Sequence, residues 1–145
     1  MKMKRKFKNI LCALAILVSV GGFATVVHAV NSYLDVTVSN IPGQSSPDPY
    51  STKTVKDDDE QRFYIKLNTL TNAPSMSFTA FRSNGEQMSV NQAITFYREK
   101  NLGETLSAGY DTYHKKVPRA GEFFYVYATV PQYYGGAHAT GTYCP

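Results

Sequence analysis

The chain has no tryptophan, only two cysteines and only three histidines among its 145 residues. Cys12 and His28 fall in an N-terminal segment treated below, so His114, His138 and Cys144 are what the remainder can use. A zinc site needs three or four nitrogen, sulfur or carboxylate ligands. Asp111 precedes His114 by three positions, which on an extended strand puts the two on opposite faces. A Cys-x-x-Cys redox pair, a Gly-x-Ser-x-Gly nucleophile turn and a phosphate-binding loop are all missing. Cys144, near the C-terminal end of the sequence, is poorly placed for a pre-organised acyl-transfer pocket. No catalytic residue, metal or cofactor is therefore expected. Acids brought together only by folding leave no linear signature, and a small extracellular hydrolase stays open as an alternative.

What is present begins at the N-terminus. Lys2, Lys4, Arg5, Lys6 and Lys8 precede an apolar run from Ile10 to Val27, and Val27-His28-Ala29 ends it with small residues around Ala29. That order fits a secretory signal peptide over 1–29 with cleavage after Ala29. The other reading keeps the segment as an anchor. An apolar stretch of 18 residues is near the lower limit for spanning a bilayer, and Gly21-Gly22 interrupts it. Both readings place the remainder outside the membrane. Cys12 lies too early for a lipidated cysteine and reads as one more apolar residue of the signal. A strongly basic start with a long apolar region resembles the export signals of Gram-positive bacteria.

Removing that segment changes the charge argument. The chain carries fifteen Lys and Arg against eleven Asp and Glu, a formal net of +4. Residues 1–29 hold five of the basic residues and none of the acidic ones, leaving ten against eleven, a net of −1. A polyanion footprint disappears with the signal, and nucleic acid is not an expected partner. The membrane enters only as the export route.

Residues 30–145 suit one domain with a modest core. Repeats of 20–50 residues and low-complexity tails are absent. All eleven Tyr and six of the eight Phe lie here, a composition that favours sheet. Tyr33–Val38 alternates as a first strand. The Pro- and Ser-rich stretch 41–56 reads as a loop or extended connection. Phe63–Leu70 is a second strand, with Phe63, Ile65 and Leu67 on one face, and Asn72–Pro74 is a turn. Met76, Phe78 and Ala80 alternate in a third strand. Asn84-Gly85 predicts a type I′ hairpin turn with a return strand from about Glu86. Ser89-Val-Asn-Gln92 matches a helix capping box, yet Thr95-Phe-Tyr97 suits strand; 90–100 is read as strand, with a short helix as the alternative. Phe123–Val130 is an aromatic strand stopped by Pro131, Gly135-Gly136 a turn, and Ala137–Tyr143 a final strand. The expected fold is an all-β, single-domain antiparallel β-sandwich of about 6–8 short strands.

Four features invite functional readings. Asp57-Asp-Asp-Glu60 offers oxygen ligands for calcium, but without the spacing of a calcium loop, so a solvated charge run is the competing reading. Lys115 and Lys116 before Pro118 either block an edge strand against intermolecular pairing or solvate a loop. Cys144 has no intramolecular partner once the signal is gone. It is expected either to join a disulfide-linked homodimer or to remain as a lone thiol. Finally, Pro131-Gln-Tyr-Tyr-Gly-Gly-Ala-His138 puts Tyr133, Tyr134 and His138 on a turn-rich segment. Tyrosines there can stack on sugars or dock a protein partner, or they pack over the end of the sandwich. Tyr50, Tyr110 and Tyr113 belong to the same surface or to none.

Thr95-Phe-Tyr-Arg-Glu-Lys100, the tyrosine-rich strand ending in Ala128 and the closing Ala139-Thr-Gly-Thr-Tyr-Cys-Pro145 resemble segments of small secreted Gram-positive β-proteins of uncharacterised function. More distantly they are similar to lactococcin-972-like bacteriocins. That resemblance implies a small exported β-sandwich, with antibacterial activity as an expectation. Those bacteriocins typically end in a tail containing tryptophan, which this chain lacks. The leading expectation is a secreted, non-enzymatic β-sandwich that binds a protein or cell-envelope component through aromatic loops.

Overall fold

Alternation of apolar and polar side chains writes most of this fold directly. A computed structural model describes residues 31–43, 48–89, 93–113 and 115–145; residues 1–29, read above as a signal peptide, and His114 lie outside the described residues. Eight strands form two four-stranded antiparallel sheets, with no helix among the described residues. The strands are β1 (Ser32–Ser39), β2 (Thr54–Val55), β3 (Arg62–Thr71), β4 (Ser75–Arg82), β5 (Ile94–Tyr97), β6 (Thr105–Gly109), β7 (Phe123–Thr129) and β8 (Gly136–Cys144). The first sheet runs β1-β8-β3-β6 and the second β2-β7-β4-β5. The protein is a single-domain β-sandwich.

The core is the set of inward positions predicted by period two. Leu34, Val36 and Val38 of β1 and Phe63, Ile65 and Leu67 of β3 face Met76, Phe78 and Ala80 of β4 and Phe124, Val126 and Ala128 of β7. The inward side of β8 is small: Ala137, Ala139 and Gly141 precede the fully buried Tyr143. In β3 the alternation slips at Asn68, where a bulge shifts the register with β8 between Leu67 and Thr69, so Leu70 rather than Thr69 returns to the core.

Three local expectations need correction or refinement. Asn84-Gly85 is a turn, with Gly85 N–H donating to Arg82 O at 2.9 Å. Only Gly85 takes a positive φ, of 88°, so it is not type I′, which requires positive φ at both central residues. The return pairing stops at an isolated bridge between Phe81 and Gln87, and the next strand starts at Ile94. The turn at Asn72–Pro74 does not make a hairpin, because it carries the chain from the first sheet to the second. Residues 94–97 of the helix-or-strand segment are strand β5, paired with β4.

From Asp48 onward the proline-rich connection after β1 is extended. Asp48 bridges Thr37 of β1, Tyr50 bridges Tyr127 of β7, and Ser51 N–H donates to Val126 O at 2.9 Å. Residues 48–55 thus lie along the outer edge of β7 and tie the two sheets together at one margin.

Candidate functional site

On β7 the same alternation that buries Phe124, Val126 and Ala128 turns Phe123, Tyr125 and Tyr127 outward. On β4 it turns Thr79 and Phe81 outward. Register then decides which side chains meet: Phe81 opposes Tyr125 and Thr79 opposes Tyr127. From the other edge, the bridge at Tyr127 brings in Tyr50. The result is a four-ring cluster on the outer face of the second sheet. Phe81 stacks on Tyr125 with centroids 5.5 Å apart and planes 12° apart. Tyr50 meets Tyr125 edge-on at 5.7 Å and 72°, and lies 5.1 Å from Tyr127. Such pairs hold one another in fixed orientations.

Tyr50 remains 49% exposed and neighbouring Phe123 51% exposed. The outer face of the first sheet carries Thr37, Thr69, Thr71, Thr140, Thr142 and Lys66 along its strands, together with Tyr33 and Tyr64. What sets the second sheet's outer face apart is that its rings touch one another in a cluster, the kind of patch found at sites that bind other molecules.

At one end of the cluster lies a cleft of about 380 Å³ lined by Tyr50, Ser51, Lys53, Ser83, Asn84, Gly85 and Tyr125. One wall is the irregular edge segment and the other is the turn after β4. Lys53 Nζ ties them together by donating to Ser83 O at 3.2 Å. Asn84 Oδ1 accepts from Glu86 N–H at 3.0 Å, which leaves its amide NH₂ as the group for a visitor. Burial, and then the neighbouring Tyr50, raise the Tyr125 phenol above its ordinary value, so it stays a neutral donor and acceptor at physiological pH. The nearby acids are committed elsewhere. Arg82 binds Glu86 and, at 3.1 Å, Glu122, while Lys115 and Lys116 approach the same two carboxylates at 3.9 and 3.8 Å. Those two lysines therefore sit in the segment between β6 and β7, joined to an ion-pair cluster, and not on an edge strand.

The tyrosines singled out from sequence occupy a different place. Tyr133 and Tyr134 lie 4.8 Å apart with their rings tilted at 52° in the loop before β8, with Tyr133 82% exposed and Tyr134 resting against the core. Asn40 Nδ2 pins this loop by donating to Tyr134 O at 3.2 Å and Pro131 O at 3.3 Å. His138 projects from the outer face of the first sheet, its Nε2 2.8 Å from Asp35 Oδ1. It lines a second cleft, of about 330 Å³, with Thr37, Ser39, Asn72 and Gly136. Of the three further tyrosines, Tyr50 joins the four-ring cluster, Tyr110 is in the core and Tyr113 is exposed on a loop.

The acidic run is engaged with protein donors. Asp58 Oδ1 is 2.8 Å from the Nζ of Lys56, which is fully buried and also donates to the main-chain oxygen of Pro145 at 3.1 Å. Asp59 Oδ1 accepts from Ala120 N–H at 3.0 Å, and Glu60 accepts from the Tyr64 hydroxyl. That bond, followed by burial, raises the Tyr64 pKa. Among the described residues no group of three or more His, Cys, Asp or Glu is arranged to hold a metal ion.

Cys144 ends β8 opposite Tyr64 and is only 9% exposed. Burial pushes its thiol up to about 11, although Lys56 pulls the other way. Disulfide exchange requires an accessible thiolate, so a covalent dimer through Cys144 would need the end of β8 to open. Tyr110 and Tyr143, nearby in the interior, have pKa values raised chiefly by burial, and neither hydroxyl makes a hydrogen bond of normal geometry.

Sequence reasoning missed Phe81, Tyr125 and Tyr127 as a surface. The available signal was the outward parity of β7, where aromatics occupy the face opposite Phe124 and Val126. No protein-family model matches the chain, and no curated protein matches it. Its functional reading therefore rests on its own residues.

Proposed function

We propose that this chain is an exported, non-enzymatic β-sandwich that binds a component of the cell envelope. The four-ring cluster of Tyr50, Phe81, Tyr125 and Tyr127, open to solvent beside a polar-rimmed cleft, carries this reading. It moves the binding surface from the loop tyrosines to the sheet face. Rings oriented by one another lose little conformational freedom when a ligand arrives, which favours recognition over reorganisation. Export is supported by the basic block and apolar run at the N-terminus, and a non-catalytic role by the missing nucleophile and metal motifs.

The test is retention of purified protein on isolated Gram-positive cell walls. Tyr125→Ser together with Tyr127→Ser should reduce retention at least about tenfold, consistent with the typical worth of binding aromatics. Tyr133→Ser should leave it unchanged. Equal retention of the Tyr125/Tyr127 double variant and wild type would remove the sheet face as the site.

A further inference from the structure

The cleft beside the aromatic cluster has a chemistry narrower than general stickiness. We infer that it takes a negatively charged sugar, a pyranose ring bearing a carboxylate or phosphate; this rests on the envelope-binding reading above. Tyr50, half-exposed, and Tyr125 both line the cleft with their planes inclined at 72°, so two aromatic walls form a corner in it. A pyranose matches that corner, because its axial C–H groups pack on a ring face while its equatorial hydroxyls point sideways. The sideways groups meet a polar rim of Ser83, the Asn84 amide and Lys53. Gly85 keeps the rim low: its φ of 88° disfavours a side chain, and the space a Cβ would fill is empty to 4 Å.

Charge selects among sugars. Among the described residues Lys53 is the one charged side chain lining the cleft, and no carboxylate lines it. Glu86 and Glu122 are bound to Arg82, which keeps them from serving as its counter-ions. An ammonium has three donors, and Ser83 O takes one of them. Two remain for an anion held against the aromatic wall. A neutral sugar would satisfy the rings and leave this charge without its complement. The volume of about 380 Å³ lies at the small end of ligand pockets, suited to a short saccharide segment.

Isothermal titration of the purified protein distinguishes the outcomes. The probes are hyaluronan oligosaccharides for the carboxylate, glucose 1-phosphate for the phosphate, and chitin and cellulose oligosaccharides of matching length as neutral controls. At least one anionic probe should bind about tenfold or more tightly than its neutral counterpart, and that preference should shrink between low and high salt. Lys53→Met should abolish the preference, bringing the anionic probes down to the affinity of the neutral ones or below it, and Tyr125→Ser should weaken both. Lys53 is exposed and its loss does not threaten folding, which an unchanged urea midpoint will verify. Equal affinity for neutral and anionic probes, or an unaltered preference in Lys53→Met, overturns the charged-sugar assignment. If no saccharide binds but wall retention still depends on Tyr125 and Tyr127, the sugar inference falls alone. If that dependence is absent too, both readings fall.

Discussion

Replacing Gly141 by alanine, one added carbon, should be among the most damaging changes in this protein. Gly141 lies in β8 between Leu34 of β1 and Leu67 of β3, with neighbours bonded on both sides. A Cβ placed there would sit 2.9 Å from Leu67 Cα and 3.0 Å from Lys66 C, and closer still to Lys66 O. Carbon atoms prefer about 3.5–4.0 Å, and because the Lys66 carbonyl oxygen is nearer than either carbon, β3 must retreat by more than about 1 Å. The obstacle is backbone, which cannot rotate away as a side chain can. A shift of that size takes adjacent ladder bonds beyond hydrogen-bond range, at about 1 kcal/mol net for each and more where the groups stay dry. Overpacking adds about 1–3 kcal/mol. The sum is about 3–5 kcal/mol, a large part of the about 5–15 kcal/mol that stabilises a domain. Urea unfolding is the assay. With a slope of about 1.5 kcal/mol per molar, the midpoint should fall by about 2–3 M. Gly85→Ala is the control, since its backbone is positive in φ but its surroundings are open, and it should cost only about 1–2 kcal/mol. A Gly141→Ala midpoint no lower than that of Gly85→Ala would refute the steric argument.

Two further predictions concern the buried polar end of the sandwich. Because the Cys144 thiol is raised from 9.0 to about 11, the unfolded chain loses its proton first as pH rises. Its contribution to stability is complete below pH 9 and declines as pH passes from 9 to 11. Reaction with a disulfide reagent at pH 8 should be about 100-fold or more slower in native than in urea-unfolded protein; equal rates would show the thiol is not shielded. At Lys56, Asp58→Asn removes the charge partner of a buried ammonium and should cost about 1–3 kcal/mol, whereas Lys56→Met should be close to neutral. Thermal unfolding that finds Lys56→Met the more damaging would mean the ion pair itself stabilises the fold.

What the sequence made legible was whatever period two encodes. Phe63, Ile65, Leu67, Met76, Phe78, Phe124 and Val126 all turn inward as their alternation requires. Strand β6, Thr-Leu-Ser-Ala-Gly, has too little aromatic or branched content to announce itself, and it is specified by pairing with β3. The bulge at Asn68 was invisible because it answers the backbone of β8. Burial of Lys56 within a polar run was equally unreadable, since its partners are Asp58 nearby and Pro145 at the far end of the chain. The aromatic cluster was half visible. The outward parity of Tyr125 and Tyr127 lies in local sequence, but the arrival of Tyr50 beside them depends on a long-range bridge that only folding supplies.

The position of β8 also constrains the order of events in folding. It is the latest strand in the chain, yet it fills the interior of the first sheet between β1 and β3. Ser39 must wait for Gly136, its register partner, nearly a hundred residues later. At synthesis rates of about 5–20 residues per second that wait is about 5–20 s. Until β8 arrives, β1 has no neighbour within its sheet, so the completed sandwich cannot form around a growing chain. A topology in which β8 closes the first sheet defers that sheet's completion while the second sheet and the β3–β6 pair need nothing from β8, and the folding rate should sit among the slow, non-local β-proteins.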